Sequence, residues 1–163
     1  MPIPPRGILP AIITPFREDE SIDYTAWQRH IEFLLASGVH GLFVIGGQGE
    51  FFALTEEERV VAARFCVQTV NKRAPVYANV GAVTTGQTVR LAQKAEKDGA
   101  DFIVVVTPYY IKPSDQELSA HCGSLRQRQR AGSGLQHSGT DGSGTDAGDS
   151  GAGGGQAQEP GGS

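Results

Sequence analysis

The sequence has 163 residues and a formal net charge of -4. This length suits one domain and falls short of the ~250 residues that a complete (βα)8 barrel typically needs. The acidic balance argues against binding to nucleic acid or to an anionic membrane surface. No apolar run approaches the ~20 residues of a membrane span, and residues 1–6 lack a signal-type apolar region, so we expect a cytoplasmic protein without a membrane partner.

The sequence has no pattern typical of a metal or redox site. Cys66 and Cys122 form no CxxC spacing, and the four histidines are scattered along the chain. We therefore expect neither a disulfide framework nor a metal centre, and no feature indicates a cofactor. We interpret Cys66 as a core residue.

The chain begins with a predicted strand and a predicted helix. Residues 7–13 are apolar enough for a first strand, with Pro10 tolerable near an end or an edge. Asp23 can cap the helix that follows, and Gly38 occupies the usual position just after a helix end. Between them, apolar side chains at three- and four-residue steps indicate one buried face, formed by Trp27, Ile31, Leu34 and Leu35.

The second predicted strand, residues 41–45, leads into a glycine-rich loop. Its apolar, β-branched and aromatic residues are typical of a strand buried on both faces. The loop occupies residues 46–54, and Thr55 with Glu58 then forms a capping box that predicts a helix over about 55–70. The spacing of that helix indicates burial of Val60, Ala63, Val67 and Val70.

Two more strand and helix pairs follow. Residues 76–80 are predicted as a strand, residues 81–86 as a Gly/Thr loop, and residues 87–98 as a helix with its apolar stripe at Val89, Leu91, Ala92 and Ala95. Residues 101–106 form the clearest predicted strand. Tyr109 and Tyr110 come just after it, and Ser114 with Glu117 forms a second capping box.

Four units of strand followed by helix predict an α/β fold with a parallel sheet and right-handed crossovers. The pattern is compatible with a (βα)8 barrel and with an open flavodoxin-like sheet. Both architectures bind ligands at the carboxyl ends of the strands. The loop at Gly46, the loop at Gly81 and the Tyr109-Tyr110 pair should therefore lie on one edge of the sheet.

The glycine-rich loop has the composition of a small-anion site. Glycines at 46, 47 and 49 let the backbone approach a small ligand closely, with main-chain N–H groups available to an anion such as a carboxylate. The alternative interpretation is a tight turn that binds nothing.

Three motifs in the chain resemble the dihydrodipicolinate synthase/N-acetylneuraminate lyase family. They are residues 7–16, the loop 46–50 with Leu54, Glu57 and Glu58 behind it, and residues 107–110 followed by Lys112 and Pro113. The resemblance covers about residues 6–121. It implies a (βα)8 barrel whose lysine forms a Schiff base with pyruvate or another 2-oxo acid, and an intact member that is a homo-oligomer.

The resemblance also implies roles for individual residues. The family's loop usually reads Gly-Thr-Thr-Gly-Glu, and its two threonines correspond here to Gly47 and Gln48. Gln48 can still donate its amide to a substrate carboxylate, beside Gly47 and Gly49, whereas Gly47 cannot relay a proton. Tyr110 corresponds to the relay tyrosine that crosses a subunit interface. Its alternative role is that of an aromatic residue sealing the barrel top.

Residues 1–121 are thus predicted to be the N-terminal half of the barrel, and residues 122–163 a tail. The tail holds more than half of the chain's 22 glycines and almost no large apolar residues, which predicts disorder. The resemblance would place the Schiff-base lysine in this region. The chain's lysines are Lys72, Lys94, Lys97 and Lys112, and none matches the strand position of the nucleophile.

We predict that the tail is family sequence translated in a shifted frame. A shifted codon consists of the last two letters of one residue's codon and the first letter of the next. In this frame, residues 135–142 permit Tyr-Asn-Ile-Pro-Ala-Arg-Thr-Gly, the family's second tyrosine motif. Residues 145–148 permit Leu-Thr-Pro. Residues 156–163 permit Lys-Leu-Lys-Asn-Leu-Val-Gly-Val, which leads into the lysine in the family. We expect one inserted base, or two deleted, near the codons for residues 121–124.

Three hypotheses about function follow from these observations. The first is a Schiff-base lyase or aldolase acting on pyruvate or another 2-oxo acid, inactive as written because the lysine is missing. The second is a keto-deoxy sugar acid aldolase or dehydratase of the same family. A Gly-Gly-Thr-Gly-Glu-Phe-Phe loop in that branch is similar to residues 46–52, whereas the Tyr109-Tyr110 pair looks more like the synthase branch. The third is a non-catalytic half-barrel that binds a partner through its exposed sheet edges.

Overall fold

The structure, a computed structural model, describes residues 6–130 and 136–137. In this part of the chain the helices are α1 (Tyr24–Ala36), α2 (Glu56–Val70), α3 (Thr85–Lys97) and α4 (Asp115–Arg130). The strands are β1 (Leu42–Val44), β2 (Val76–Asn79), β3 (Phe102–Val104) and β4 (Gln136–His137). Helices and strands alternate along the chain as predicted.

The sheet is parallel and its strands follow one another in chain order, β1-β2-β3-β4. The predicted first strand is an extended segment on the free side of β1, where the Ile12 amide donates to the Phe43 carbonyl at 2.9 Å and Ala11 forms a single bridge with Phe43. A flavodoxin-like sheet would have the order 2-1-3-4-5. The sequential order is that of a barrel, so the predicted barrel half is confirmed.

Local hydrogen bonds explain where the helices begin. The Glu58 amide donates to the Thr55 hydroxyl at 3.2 Å, and the Thr55 amide donates to the Glu58 carboxylate at 2.8 Å. The same reciprocal pair links Ser114 and Glu117 before α4. Both predicted capping boxes are therefore confirmed. Helix α3 begins at Thr85, earlier than predicted, because the Thr84 side chain caps it.

The core lies between the helices and the outer face of the sheet. Trp27 and Cys66 are fully buried, as predicted. The prediction for α2 is partly wrong, because Val60 and Val67 are only partly buried. The helix is turned so that its buried face consists of Arg59, Ala62, Ala63, Cys66 and Val70. A charged side chain on this face was not expected.

Helix α4 continues past the predicted domain boundary at residue 121 and reaches Arg130. His121 and Leu125 lie one helical turn apart and are both buried, which explains why the helix does not end at the boundary. Strand β4 lies farther into the predicted tail. Residues 122–130 and 136–137 therefore have secondary structure where disorder was predicted. The rest of the predicted tail, 131–135 and 138–163, lies outside the described residues.

His121 joins α4 to the start of α3. Its Nδ1 lies 2.8 Å from the Thr85 hydroxyl, and its Nε2 is buried without a hydrogen-bond partner among the described residues. Burial lowers the pKa of the His121 imidazole from its usual value, because the charged form loses hydration. The folded chain thus favours neutral His121.

This depressed pKa predicts a pH dependence of stability. As the pH falls below the unfolded value of about 6.5, the unfolded chain takes up a proton more readily than the folded chain, so the free energy of unfolding should fall. His121→Asn should remove this contribution. Urea unfolding midpoints of both proteins, determined from about pH 8 to about pH 5.5, measure this pH dependence. Carboxylates titrate below this range.

The matched control is His30→Asn, which makes the same substitution on α1, away from the contact between α3 and α4, and an equal loss of pH dependence in both variants would contradict the assignment. Equal pH dependence in wild type and His121→Asn would contradict the assignment.

Candidate functional site at the strand ends

Three loops leave the carboxyl ends of β1, β2 and β3 and meet on one edge of the sheet. Phe51 of the first loop packs edge-to-face on Tyr109 of the third, with 5.6 Å between ring centroids. In the second loop, a Cβ added at Gly81 would stand 2.6 Å from the Val106 nitrogen. The predicted convergence of the loops is confirmed. We call this edge, residues 46–54, 81–84 and 105–114, the strand-end rim.

The glycine-rich loop is a compact series of turns. The Gly49 amide donates to the Gly46 carbonyl at 3.1 Å, and the Glu50 amide donates to the Gly47 carbonyl at 3.1 Å. The Thr14 hydroxyl donates to the Gly49 carbonyl at 2.8 Å and ties the loop to the segment before α1. The loop is therefore held in place by the Thr14 side chain as well as by its own backbone hydrogen bonds.

The three predicted binding residues differ in exposure. Gly49 is buried, whereas Gly47 and Gln48 are exposed on the strand-end rim. The amides of Gly49 and Glu50 form hydrogen bonds within the turns, whereas those of Gly47 and Gln48 form no backbone hydrogen bond among the described residues. A Cβ added at Gly47 would meet no atom within 4 Å. The outer part of the loop is thus open to a small ligand.

Tyr110 is the most exposed aromatic residue in the described chain, at 98%. Its φ of +78° lies in the left-handed region, which is uncommon for a residue with a side chain. Tyr110 lines two cavities beside the start of α4, of about 310 and 330 Å³. Neither cavity includes a residue of the glycine-rich loop, so the structure places Tyr110 on the same rim without bringing it to that loop.

Sequence reasoning missed Arg59, which is 4% exposed behind the strand-end rim. Its Nη2 donates to the carbonyls of Asn79 at 3.2 Å and Gly81 at 2.9 Å. Its guanidinium lies 5.2 Å from the centroid of the Phe51 ring. Burial lowers the pKa of Arg59. The signal in the sequence was a charged residue at helical spacing from Ala62, Ala63, Cys66 and Val70.

Asn79 was also missed, and it connects two of the loops. Its Nδ2 donates to the Ile45 carbonyl at 2.9 Å, and its Oδ1 accepts from the Gly81 amide at 3.1 Å. The side chain is buried, at 4% exposed. An asparagine in an apolar strand was the available signal. Arg59 and Asn79 together join the ends of β1 and β2.

Comparison with known proteins identifies the family. The model of the Dihydrodipicolinate synthetase family matches residues 4–127. The chain belongs to the dihydrodipicolinate synthetase family. The 4-hydroxy-tetrahydrodipicolinate synthase of Chelativorans sp. (strain BNC1) is 42% identical over 120 residues, which cover 74% of this chain and 41% of that protein. The synthase of Rhizobium meliloti (strain 1021) is 39% identical over 75% of this chain and 42% of its own length.

Solved structures give the same result. YagE, an E. coli K12 prophage protein of the dihydrodipicolinic acid synthase family in complex with pyruvate, superposes with a TM-score of 0.73 and 38% identity, covering 74% of this chain and 41% of that one. The chloride-inhibited synthase of Acinetobacter baumannii complexed with pyruvate has a TM-score of 0.72 and 30% identity, over 74% and 42%. The chain spans about two fifths of the length of the curated relatives it matches.

The lysines of this family member lie away from the strands. Lys72 donates to the Asp101 carboxylate at 2.9 Å, just before β3 and therefore at the opposite end of the sheet from the strand-end rim. Lys94 and Lys97 belong to the last turn of α3. Lys112 lies on the rim, exposed in the loop after β3. None of the four lies within a described strand.

Two other structural features bear on possible ligands and surroundings. Among the side chains that the structure describes, no three His, Cys, Asp or Glu residues are grouped so that they could hold a metal ion. No helix in this part of the chain has the length and apolarity needed to cross a membrane.

The packing of the second loop predicts the effect of two glycine substitutions. Gly81→Ala should lower the free energy of unfolding by about 1–3 kcal/mol, because its Cβ would meet the backbone nitrogen and carbonyl oxygen of Val106 at 2.6 and 2.8 Å. Gly47→Ala, on the open part of the rim, should leave this free energy unchanged or raise it by up to about 1 kcal/mol. Urea denaturation measures both, and equal destabilisation of the two variants would contradict the assigned packing.

Proposed function

We propose that this chain carries the carboxylate-binding half of a Schiff-base lyase site for pyruvate or another 2-oxo acid. The observation that carries the proposal is the glycine-rich loop on the strand-end rim, with Gly47 and Gln48 exposed and their amides outside the turn bonds. Backbone amides in such a turn are suited to an anion. Two structural neighbours of the same family were solved with pyruvate, which supports a 2-oxo acid as the ligand.

In this proposal each predicted site residue has its own role. The Gly47 amide and the amide groups of Gln48 donate to the substrate carboxylate, and Gly49 allows the loop its close contact with Ile12 and Thr14. Tyr110 is the proton-relay residue. Its exposure of 98% suits a side chain that a second copy of the intact enzyme would cover. The intact enzyme is accordingly proposed to be a homo-oligomer.

The chemical step of the proposed reaction needs an amine that this chain does not supply. A lysine Nζ attacks the ketone carbon of the 2-oxo acid, water leaves, and a C=N bond joins substrate to enzyme. None of the four lysines lies in a described strand, and Lys112 is in a loop. We therefore propose that the chain is inactive as written. The nucleophile would lie in the shifted-frame sequence that follows residue 121.

One observation favours a sugar-acid substrate as the second candidate. The position of the family's relay threonine is Gly47, which has no hydroxyl, and a Cβ added there would meet no atom within 4 Å. A keto-deoxy sugar acid carries hydroxyl groups of its own and is larger than pyruvate, so this open space would accommodate part of it. Its reaction would be aldol cleavage or dehydration through the same Schiff base.

The first test is borohydride trapping of the chain as it exists. Incubation with pyruvate and sodium borohydride should give no added mass on any lysine, because none of the four lysines lies within a described strand, where the resemblance places the nucleophile. Intact-protein mass spectrometry measures this. A stoichiometric pyruvyl adduct, on Lys112 for instance, would show that the chain is catalytically competent and overturn the inactivity proposal.

The second test restores the frame. Removing one base, or adding two, near the codons for residues 121–124 should give a longer barrel enzyme that reads the tyrosine motif from residues 135–142 and traps pyruvate with borohydride. Substitution of the restored lysine by arginine is the matched control and should abolish the adduct. This proposal would be contradicted by a gene sequence whose shifted frame lacks the tyrosine motif or contains a stop codon before the lysine.

A further inference from the structure

The bonds of Asn79 suggest a function beyond packing. Its side-chain amide spans from the end of β1 to the loop after β2, with one bond to the Ile45 carbonyl and one to the Gly81 amide. All of these groups are buried. A buried carbonyl or amide that lost its partner would carry a desolvation penalty. Asn79 is thus bonded to the residue that immediately precedes the glycine-rich loop.

That residue, Ile45, has an unusual backbone conformation. Its φ is +56°, in the left-handed region, where a β-branched residue is a genuine outlier. The side chain is 1% exposed and belongs to the core. A strained conformation of this kind persists only where its surroundings hold it in place. The Asn79 amide bonds the carbonyl of Ile45 directly, at the point where the chain turns from β1 into Gly46.

Arg59 fixes the other side of Asn79. Its Nη2 donates to the backbone carbonyls of Asn79 and Gly81, so the strand end that carries the asparagine is held by a buried cation. The same guanidinium lies over Phe51, just past the middle of the glycine-rich loop. The loop is therefore held at its start, through Ile45 by Asn79, and past its middle, through Phe51 by Arg59.

We propose that Arg59 and Asn79 form a clamp that sets the conformation of the glycine-rich loop, with Asn79 as the positioning residue. Its importance for 2-oxo acid binding rests on the function proposed above. Neither side chain is assigned contact with the substrate. The clamp acts by keeping Ile45 in the left-handed region, so that the exposed amides of Gly47 and Gln48 keep one arrangement. Preorganised donors of this kind avoid a reorganisation penalty on binding.

Amide hydrogen exchange on the existing chain tests the clamp. The amides of Gly49, Glu50 and Phe51 are hydrogen-bonded within the loop, and the Leu42 amide, bonded to the Pro75 carbonyl, reports on the core. Asn79→Asp keeps an acceptor for Gly81 and loses the donor to Ile45. The exchange rate of the loop amides, divided by that of Leu42, should rise about tenfold or more in this variant.

Thr88→Val is the matched control. Thr88 is fully buried, and its hydroxyl accepts from the Ala82 amide at 3.1 Å in the second loop, without a bond to the first. The variant also loses buried hydrogen bonds, so general destabilisation would speed loop and core amides together. The exchange ratio should therefore change less than about threefold. Asn79→Ser, which keeps a polar group but cannot span both partners, should behave like Asn79→Asp and serves if the aspartate variant does not fold.

The outcomes separate the clamp from the proposed function. An unchanged ratio in the Asn79 variants, or an equal rise in Thr88→Val, would overturn the clamp and leave the pyruvate proposal standing. Failure of the frame-restored enzyme to trap pyruvate would overturn the proposed function without affecting the exchange result, because exchange requires neither substrate nor catalysis.

Discussion

Parallel hydrogen bonding of β1, β2 and β3 in chain order is the constraint from which the candidate site follows. Phe43 pairs with Tyr77, and Tyr77 pairs with Phe102, so the three strands end at nearly the same level. Because they also run in the same direction, every loop that follows a strand emerges at the same edge. Three stretches far apart in the sequence therefore become neighbours. The short strands suffice, since α1, α2 and α3 cover their outer face.

The buried Arg59 guanidinium adds an electrostatic constraint to this arrangement. Among the described residues it makes no ion pair, since the nearby Glu56 pairs with Arg90 at 3.1 Å and with Lys94 at 3.5 Å. A buried cation without compensation is strongly unfavourable. Here two backbone carbonyls at the end of β2 and the face of Phe51 supply the compensation. Displacing these carbonyls or the Phe51 ring would remove that compensation, so Arg59 favours the observed geometry of the strand-end rim.

Local features of the sequence predicted local features of the structure well. The capping boxes at Thr55 and Ser114 are short-range hydrogen-bond patterns, and the positive φ of Gly38 is the conformation expected after a helix end. Burial of Trp27 follows from its place in a helical apolar stripe. Such signals depend on a few neighbouring residues, so they can be read from one sequence.

Features that depend on several segments at once could not be predicted in the same way. The rotation of α2, which buries Arg59 and leaves Val67 partly exposed, is set by the carbonyls of β2 and by Phe51. Their positions are fixed only once the sheet has formed. The left-handed conformation of Ile45 and the bridge from Asn79 have the same origin. Arg59, Ile45 and Asn79 belong to no sequence motif, so the sequence indicated the loop as a binding element without indicating the residues that support it.

The proposed site also separates carboxylate binding from the chemical step. If the glycine-rich loop receives a carboxylate mainly through backbone amides, then a change of side chain at Gly47 alters proton transfer and leaves carboxylate binding largely intact. The reaction would then be set by the side chains around a common anion site, and the Schiff base by a lysine from elsewhere in the barrel. A half-barrel could retain the first function without the second, because Asn79 and Arg59, proposed above to position the anion-binding amides, both lie in the half that the structure describes.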